Sequence, residues 1–95
     1  MPTDPQAAEY RRRAAALRQL AARLDDTPLL TLHRWAGEDT WSSPRVEACR
    51  TQLGIDQARI RAAADELRGH AWRFERQAEV LDAAAALATI AAPAR

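Results

Sequence analysis

The chain has 95 residues and therefore room for at most one domain. Alanine accounts for 23 of them, and because alanines bury little area each, we expect the missing burial to come from association with another chain. The 14 basic residues, all arginine, and the 13 acidic residues leave a net charge of +1, which argues against nucleic-acid binding, since that normally needs a basic excess on one face.

The first predicted helix spans about residues 5–35. Thr3 or Asp4 is suited to its N-cap, and Pro5 to its first helical position. A narrow apolar seam then recurs every seven residues, with alanine four positions after its first two members, and we assign it to the core: Tyr10, Leu17 and Leu24.

A break in this helix is predicted near residues 25–28. Pro28 cannot donate a backbone hydrogen bond, and it disfavours helical geometry at Thr27. We expect a kink or a restart, with Thr27 as N-cap of a short helix that continues through Leu30 to Trp35.

The turn between the two helices is predicted at about residues 36–43, with Gly37 as a C-cap. Ser43 then suits the N-cap of the second helix, with Pro44 at its first position. Glu47 falls in the first turn, where a negative charge favours the helix dipole.

The second helix, about residues 44–91, carries the clearest pattern in the chain. Large apolar residues recur at an unbroken seven-residue spacing, and alanine follows most of them by four positions: Val46, Leu53, Ile60, Leu67, Phe74 and Leu81. A strict period of seven predicts a close-packed pair of antiparallel or supercoiled helices.

These elements predict an all-α fold, an antiparallel two-helix hairpin that forms one domain over residues 1–95. Further apolar residues lie off the seam and suggest a second apolar face, and the last turns of the longer second helix lack an intrachain partner: Ile55, Trp72, Val80, Leu87 and Ile90. We count Trp72 among the interface residues. A hairpin with two apolar faces needs a neighbour, so we expect a four-helix-bundle dimer.

The turn carries a family resemblance. Gly-Glu-Asp-Thr-Trp-Ser-Ser-Pro at residues 37–44, followed by Cys49-Arg50 and by Leu53, resembles the turn and second-helix start of the WXG family. These helical hairpins are associated with type VII secretion and have a Trp-x-Gly tripeptide in the turn. The position of the residues that follow the turn favours Trp41 as the motif tryptophan, with Ser43 in place of glycine. The intact Trp-x-Gly tripeptide favours Trp35 with Gly37.

The resemblance implies a non-enzymatic interaction protein that pairs with a second copy or a sister hairpin, as a secretion substrate, co-substrate or adaptor. The Tyr-x-x-x-Asp/Glu export motif of some members is missing, because the only tyrosine, Tyr10, has Ala14 four positions on. Residues 1–13 hold no apolar stretch typical of a cleaved signal. We therefore expect a cytoplasmic protein, or one exported by a type VII system without such a signal.

No residue pattern points to catalysis, a cofactor, a metal ion, a small-molecule substrate or a membrane span. His33 and His70 stand far apart in sequence, and Cys49 is the only thiol, so no metal-ligand spacing exists. We interpret Cys49 as a small core hydrophobe on the apolar side of the second helix.

The run Arg11-Arg12-Arg13 supports an alternative function. A basic face of this kind would suit an intracellular regulatory or antitoxin-like helical protein that binds a toxin or nucleic acid. The more usual interpretation is a solvated helix face, and the balanced charge elsewhere in the chain favours it.

Overall fold

The structure, a computed structural model, describes residues 4–34 and 43–91, without the side chains of residues 32–34. It contains two α-helices, α1 (Pro5–Asp25) and α2 (Pro44–Ala91), and a 3₁₀ helix (Pro28–Arg34) between them. The two α-helices pack along each other as an extended antiparallel hairpin with dimensions of 81 × 16 × 14 Å. All regular structure in the described residues is helical, as the periodicity predicts.

Local sequence signals set the starts of both α-helices. The Asp4 carboxylate accepts hydrogen bonds from the backbone N–H groups of Gln6, at 2.8 Å, and Ala7, at 3.2 Å, and Pro5 occupies the first helical position. At the start of α2 the Ser43 hydroxyl accepts from the Val46 N–H at 3.2 Å, ahead of Pro44. Asp4 is therefore the N-cap of α1, and the predicted cap of α2 is confirmed.

At the break, the Thr27 side chain does not act as the predicted N-cap. The Thr27 hydroxyl donates to the Arg23 carbonyl at 3.2 Å, so this side chain closes the end of α1 and does not cap the next helix. The Thr27 carbonyl accepts from the Leu30 N–H at 3.0 Å and starts the 3₁₀ turn. Pro28 has no N–H to give, so the α-helical ladder ends before it and the chain continues with tighter i→i+3 geometry.

The 3₁₀ helix lies against α2 and is joined to it by a hydrogen bond. The Gln57 side-chain amide donates to the Leu29 carbonyl at 2.8 Å, and Gln57 is buried, with 8% of its surface exposed. Leu30 is also buried. The hairpin therefore continues past the break at Pro28, as the prediction of a kink without a domain boundary requires.

The centre of the hairpin is made of small residues. The fully buried positions are alanines seven residues apart on each helix: Ala7, Ala14 and Ala21 of α1, and Ala64, Ala71 and Ala78 of α2. The larger seam residues beside them, which the sequence assigns to the core, are only half-buried: Tyr10, Leu17, Leu24, Val46, Leu53, Ile60, Leu67, Phe74 and Leu81. Alanine has no bulk beyond its methyl group, so the two backbones approach closely and the larger side chains lie along the edge of the contact.

Candidate interaction surface

The seam between the two helices is held by paired residues in antiparallel order. The rings of Tyr10 and Phe74 stack at a tilt with their centroids 5.6 Å apart, in the range where aromatic pairs attract. Toward the other end of α1, Gln57 binds the carbonyl of Leu29. These contacts place the start of α1 beside the second half of α2 and the 3₁₀ helix beside its first half.

One flank of the seam carries three ion pairs between the helices. They join Arg11 to Asp82, Arg18 to Glu75 and Asp25 to Arg68, so the partners step by seven residues along both helices in opposite directions. The Arg18 guanidinium donates to both oxygens of the Glu75 carboxylate, from Nη2 at 2.5 Å and from Nε at 3.0 Å. We call these six residues the ion-pair flank.

The contact between Arg18 and Glu75 in the ion-pair flank shifts the pKa of both groups. The hydrogen bond from Arg18, together with its positive charge, lowers the pKa of Glu75 below the ordinary value of 4.5. The same contact raises the pKa of Arg18. Both groups are solvent-exposed, so this pair contributes little to stability at high ionic strength.

The arginine run of α1 is paired with carboxylates along its whole length. Arg12 and Arg13 both donate to Glu9, at 2.6 and 3.2 Å, while Arg11 reaches Asp82 on the other helix. The hydrogen bond from Arg12, with a smaller contribution from Arg13, lowers the pKa of Glu9. Each of the three guanidinium groups has a carboxylate beside it, and because Arg12 and Arg13 share Glu9, the run with its partners carries an excess of one positive charge.

The predicted second apolar face is exposed but does not form one stripe. The exposed fractions of its members are 42% for Ile55, 59% for Trp72, 57% for Val80, 66% for Leu87 and 80% for Ile90. Trp72 lies one helical turn from Arg68 and from Glu75, beside the ion-pair flank, and its ring contacts the Arg76 guanidinium at 5.7 Å. Val80 and Leu87 are seven residues apart on the opposite flank, so they share a face that Trp72 does not.

Cys49 is solvent-exposed, and its assignment to the core is wrong. It lies one residue before the seven-residue series that turns Gln57 and Ala64 inward, a rotation of about 100° around the helix. His70 is also exposed and lies within hydrogen-bonding distance of Arg73, at 3.3 Å. Among the described residues, no group of metal-binding side chains is brought together.

The predicted turn motif falls mostly outside the structure. Trp35, Gly37 and Trp41 lie outside the described residues, and Ser43 and Pro44 act as the cap and first residue of α2. None of the helices in the described part of the chain is long and apolar enough to cross a membrane. The chain matches no known protein family model, no curated protein and no solved structure.

Proposed function

We propose that this chain is a non-enzymatic helical interaction module that works by pairing with another helical hairpin, either a second copy or a sister protein. The observation that carries the proposal is the composition of its buried centre. Apart from Leu30 and Gln57, every buried residue in the described part of the chain is an alanine. A hairpin of this kind obtains little stabilisation from its own core.

The energetic argument follows from the side chains that remain in water. Burying a large apolar side chain contributes roughly 1.5–3 kcal/mol, whereas a single methyl group contributes about 0.8 kcal/mol. The seam residues of α2 are only half-buried, and six large apolar side chains are exposed: Leu20, Ile55, Trp72, Val80, Leu87 and Ile90. A second hairpin packed side by side with the first would cover the half-buried seam and exposed side chains such as Ile55 and Trp72, and a four-helix bundle is the simplest assembly that does so.

The resemblance of residues 37–44 to the WXG turn supplies the biological part of the proposal. On that basis the chain is a substrate, co-substrate or adaptor of type VII secretion, either cytoplasmic or exported by that route with a partner. The two α-helices of unequal length, packed along each other as a hairpin, support this part of the proposal. No described feature favours the antitoxin-like or nucleic-acid alternative, because the arginine run is paired with acidic side chains.

The first test is the mass of the purified chain by light scattering across a dilution series, with helicity measured by circular dichroism. We expect a helical dimer that dissociates on dilution. A poorly helical, aggregating chain that becomes soluble and helical with a co-expressed neighbouring gene product would assign the pairing to a sister protein. A stable, fully helical monomer that pairs with neither would contradict the proposal.

The second test is Leu67→Asp, which places a charge in the half-buried seam. We expect loss of the dimer and of much of the helicity, because an ionised carboxylate is costly to place in a seam that packing removes from water. Ala62→Asp adds the same charge at an exposed position of α2 and should leave both unchanged. If Leu67→Asp remains folded and dimeric, the assignment of the seam is wrong.

A further inference from the structure

The end of α2 extends beyond the part of the molecule that α1 covers. The ion pair nearest this end joins Arg11 to Asp82; α1 begins at Pro5, six residues before Arg11, whereas α2 continues for nine residues past Asp82, to Ala91. From residue 80 onward only Leu81, Asp82 and Ala85 are half-buried, and the remaining side chains are exposed. We call residues 80–91 the arm.

The arm continues the pattern that the two helices use to pack against each other. Within the seam a large apolar residue is followed four positions later by a buried alanine, as in Leu67 with Ala71. The arm repeats this spacing twice on its open flank, in Val80 with Ala84 and in Leu87 with Ala91. It therefore presents the surface of a helix seam without a helix against it.

The charged residues along α2 determine in which orientation a second copy can pack against this surface. Residues 83–91 contain no charged side chain, whereas the same helical face nearer the turn carries Glu66 and Arg73 at the seven-residue spacing of Val80. A parallel pair of α2 helices would set Glu66 against Glu66 and Arg73 against Arg73, and like charges in contact are unfavourable. An antiparallel overlap restricted to the arm avoids both contacts.

The shape of the arm fits an antiparallel copy of itself. If the two-fold axis passes beside Leu87, Ala84 of one copy stands level with Ile90 of the other, and Ala83 stands level with Ala91. Large side chains then meet alanines, and Leu87 meets its own copy at the axis, which is the self-complementarity that a two-fold contact requires. We propose that the arms of two copies of this chain pack antiparallel, centred on Leu87.

This end-to-end contact goes beyond the lateral pairing proposed above and is independent of it. Three helical turns bury less than the roughly 1,200–2,000 Å² of a standard stable interface, so the contact is weak and depends on concentration. It would join two hairpins, or two laterally paired complexes, at the ends of their long axes.

Disulfide trapping of the full chain tests the contact and its register. The cysteines are introduced into a Cys49→Ala background, and the protein is used at about 0.1 mM, a concentration at which a contact with a micromolar dissociation constant is almost fully formed. Leu87→Cys should form a covalent homodimer under mild oxidation. Ala84→Cys and Ile90→Cys should each remain largely monomeric alone but cross-link when mixed, one of them carrying a mass tag. We expect trapping about tenfold faster than for Ala62→Cys, an exposed position far from the arm, because contact raises the local thiol concentration to roughly millimolar.

Cross-linking of Ala84→Cys and of Ile90→Cys each with itself, but not with each other, would indicate a parallel arrangement and overturn the proposal. Equal rates at Ala62→Cys and Leu87→Cys would indicate random collision and overturn it too. As a second measurement, Leu87→Arg should abolish the trapping of the mixed pair while leaving helicity intact. If light scattering shows a dimer that Leu87→Arg does not weaken and that no arm cysteine traps, the arm contact fails and the lateral pairing stands.

Discussion

The alanines of this chain occupy the positions where a folded protein usually places its largest apolar side chains. Ala71 is completely buried between the helices, and Phe74, three residues later, is only half-buried. The distance between two helices is set by the residues directly between them, so alanine here gives close backbone packing at the expense of buried area. Each alanine therefore acts as a spacer that has little tolerance for added volume.

Ala71→Leu tests this role. We expect the free energy of unfolding to fall by about 1–3 kcal/mol, because the added carbons force the helices apart or strain neighbouring rotamers. Chemical denaturation followed by circular dichroism measures the change, and Ala62→Leu, on the exposed side of α2, is the control. A more stable Ala71→Leu protein would mean that the helices separate freely and that the alanines do not fix their spacing.

At Gly69, on the same helix, there is room for a larger side chain. A methyl group added there meets no atom within 4 Å, and the residue lies in the interior of α2. We expect Gly69→Ala to raise the free energy of unfolding by roughly 0.5–1 kcal/mol, because glycine loses more backbone freedom on folding than alanine. Gly54→Ala, at an equally open site, should match it in thermal melts; a loss of stability at Gly69 alone would reveal another chain packed against that position.

At the scale of the elements, the ion-pair flank sets the register of α1 against α2. The basic partner lies on α1 in the pairs Arg11–Asp82 and Arg18–Glu75, but on α2 in the pair Asp25–Arg68. Sliding one helix by seven residues in one direction would place Arg18 opposite Arg68, and in the other direction Asp25 opposite Glu75. The apolar repeat alone permits both slips, so the reversal of charge order is what disfavours them.

Charge reversal at the central pair tests the flank. Arg18→Glu and Glu75→Arg should each lower the melting temperature, because each single change sets like charges opposite one another between the helices. The double variant should recover most of the loss, since the pair is then restored with its polarity exchanged. If, at low ionic strength, the double variant lost as much stability as the two single variants together, the two side chains would not be coupled.

At the scale of the whole molecule, stability depends on a thin core and on surface charges that titrate. The pKa of Glu75 is lowered by its hydrogen bond from Arg18, and that of Glu9 by its hydrogen bonds from Arg12 and Arg13. A carboxyl with a lower pKa in the folded state favours folding in its ionised form. This contribution is therefore present above the ordinary value of 4.5 and is lost as the pH falls through the lowered folded-state pKa.

We accordingly expect the free energy of unfolding of the hairpin to decrease as the pH is lowered from about 5 toward 3. Glu75→Gln should reduce the stability at neutral pH and flatten the acid limb, so that its curve meets that of the parent chain at low pH. Denaturation series at constant ionic strength measure both curves, and Glu66→Gln makes the same change of charge at an exposed position as a control. An unchanged slope in Glu75→Gln would show that the Arg18 contact does not persist in solution.

The sequence by itself determined the local structure of this protein. Seven-residue periodicity, Thr3 or Asp4 and then Ser43 as candidate caps, and proline at the start of each helix predict two long helices with a break at Pro28, because backbone geometry and capping depend on neighbouring residues. Periodicity also identifies the face of each helix that turns inward. It predicted an all-α hairpin, which the structure confirms.

Only the tertiary structure decided how deeply each side chain is buried and which charges meet. Periodicity states the direction in which a residue points, but burial depends on the distance of the opposite helix, so the alanines proved more buried than Leu67 and Phe74. The exposure of Cys49 and the pairing of Arg11 with Asp82 follow from contacts between residues far apart in sequence. Such contacts form only after the two helices have docked in one register, so the spacing of residues within a single helix does not predict them.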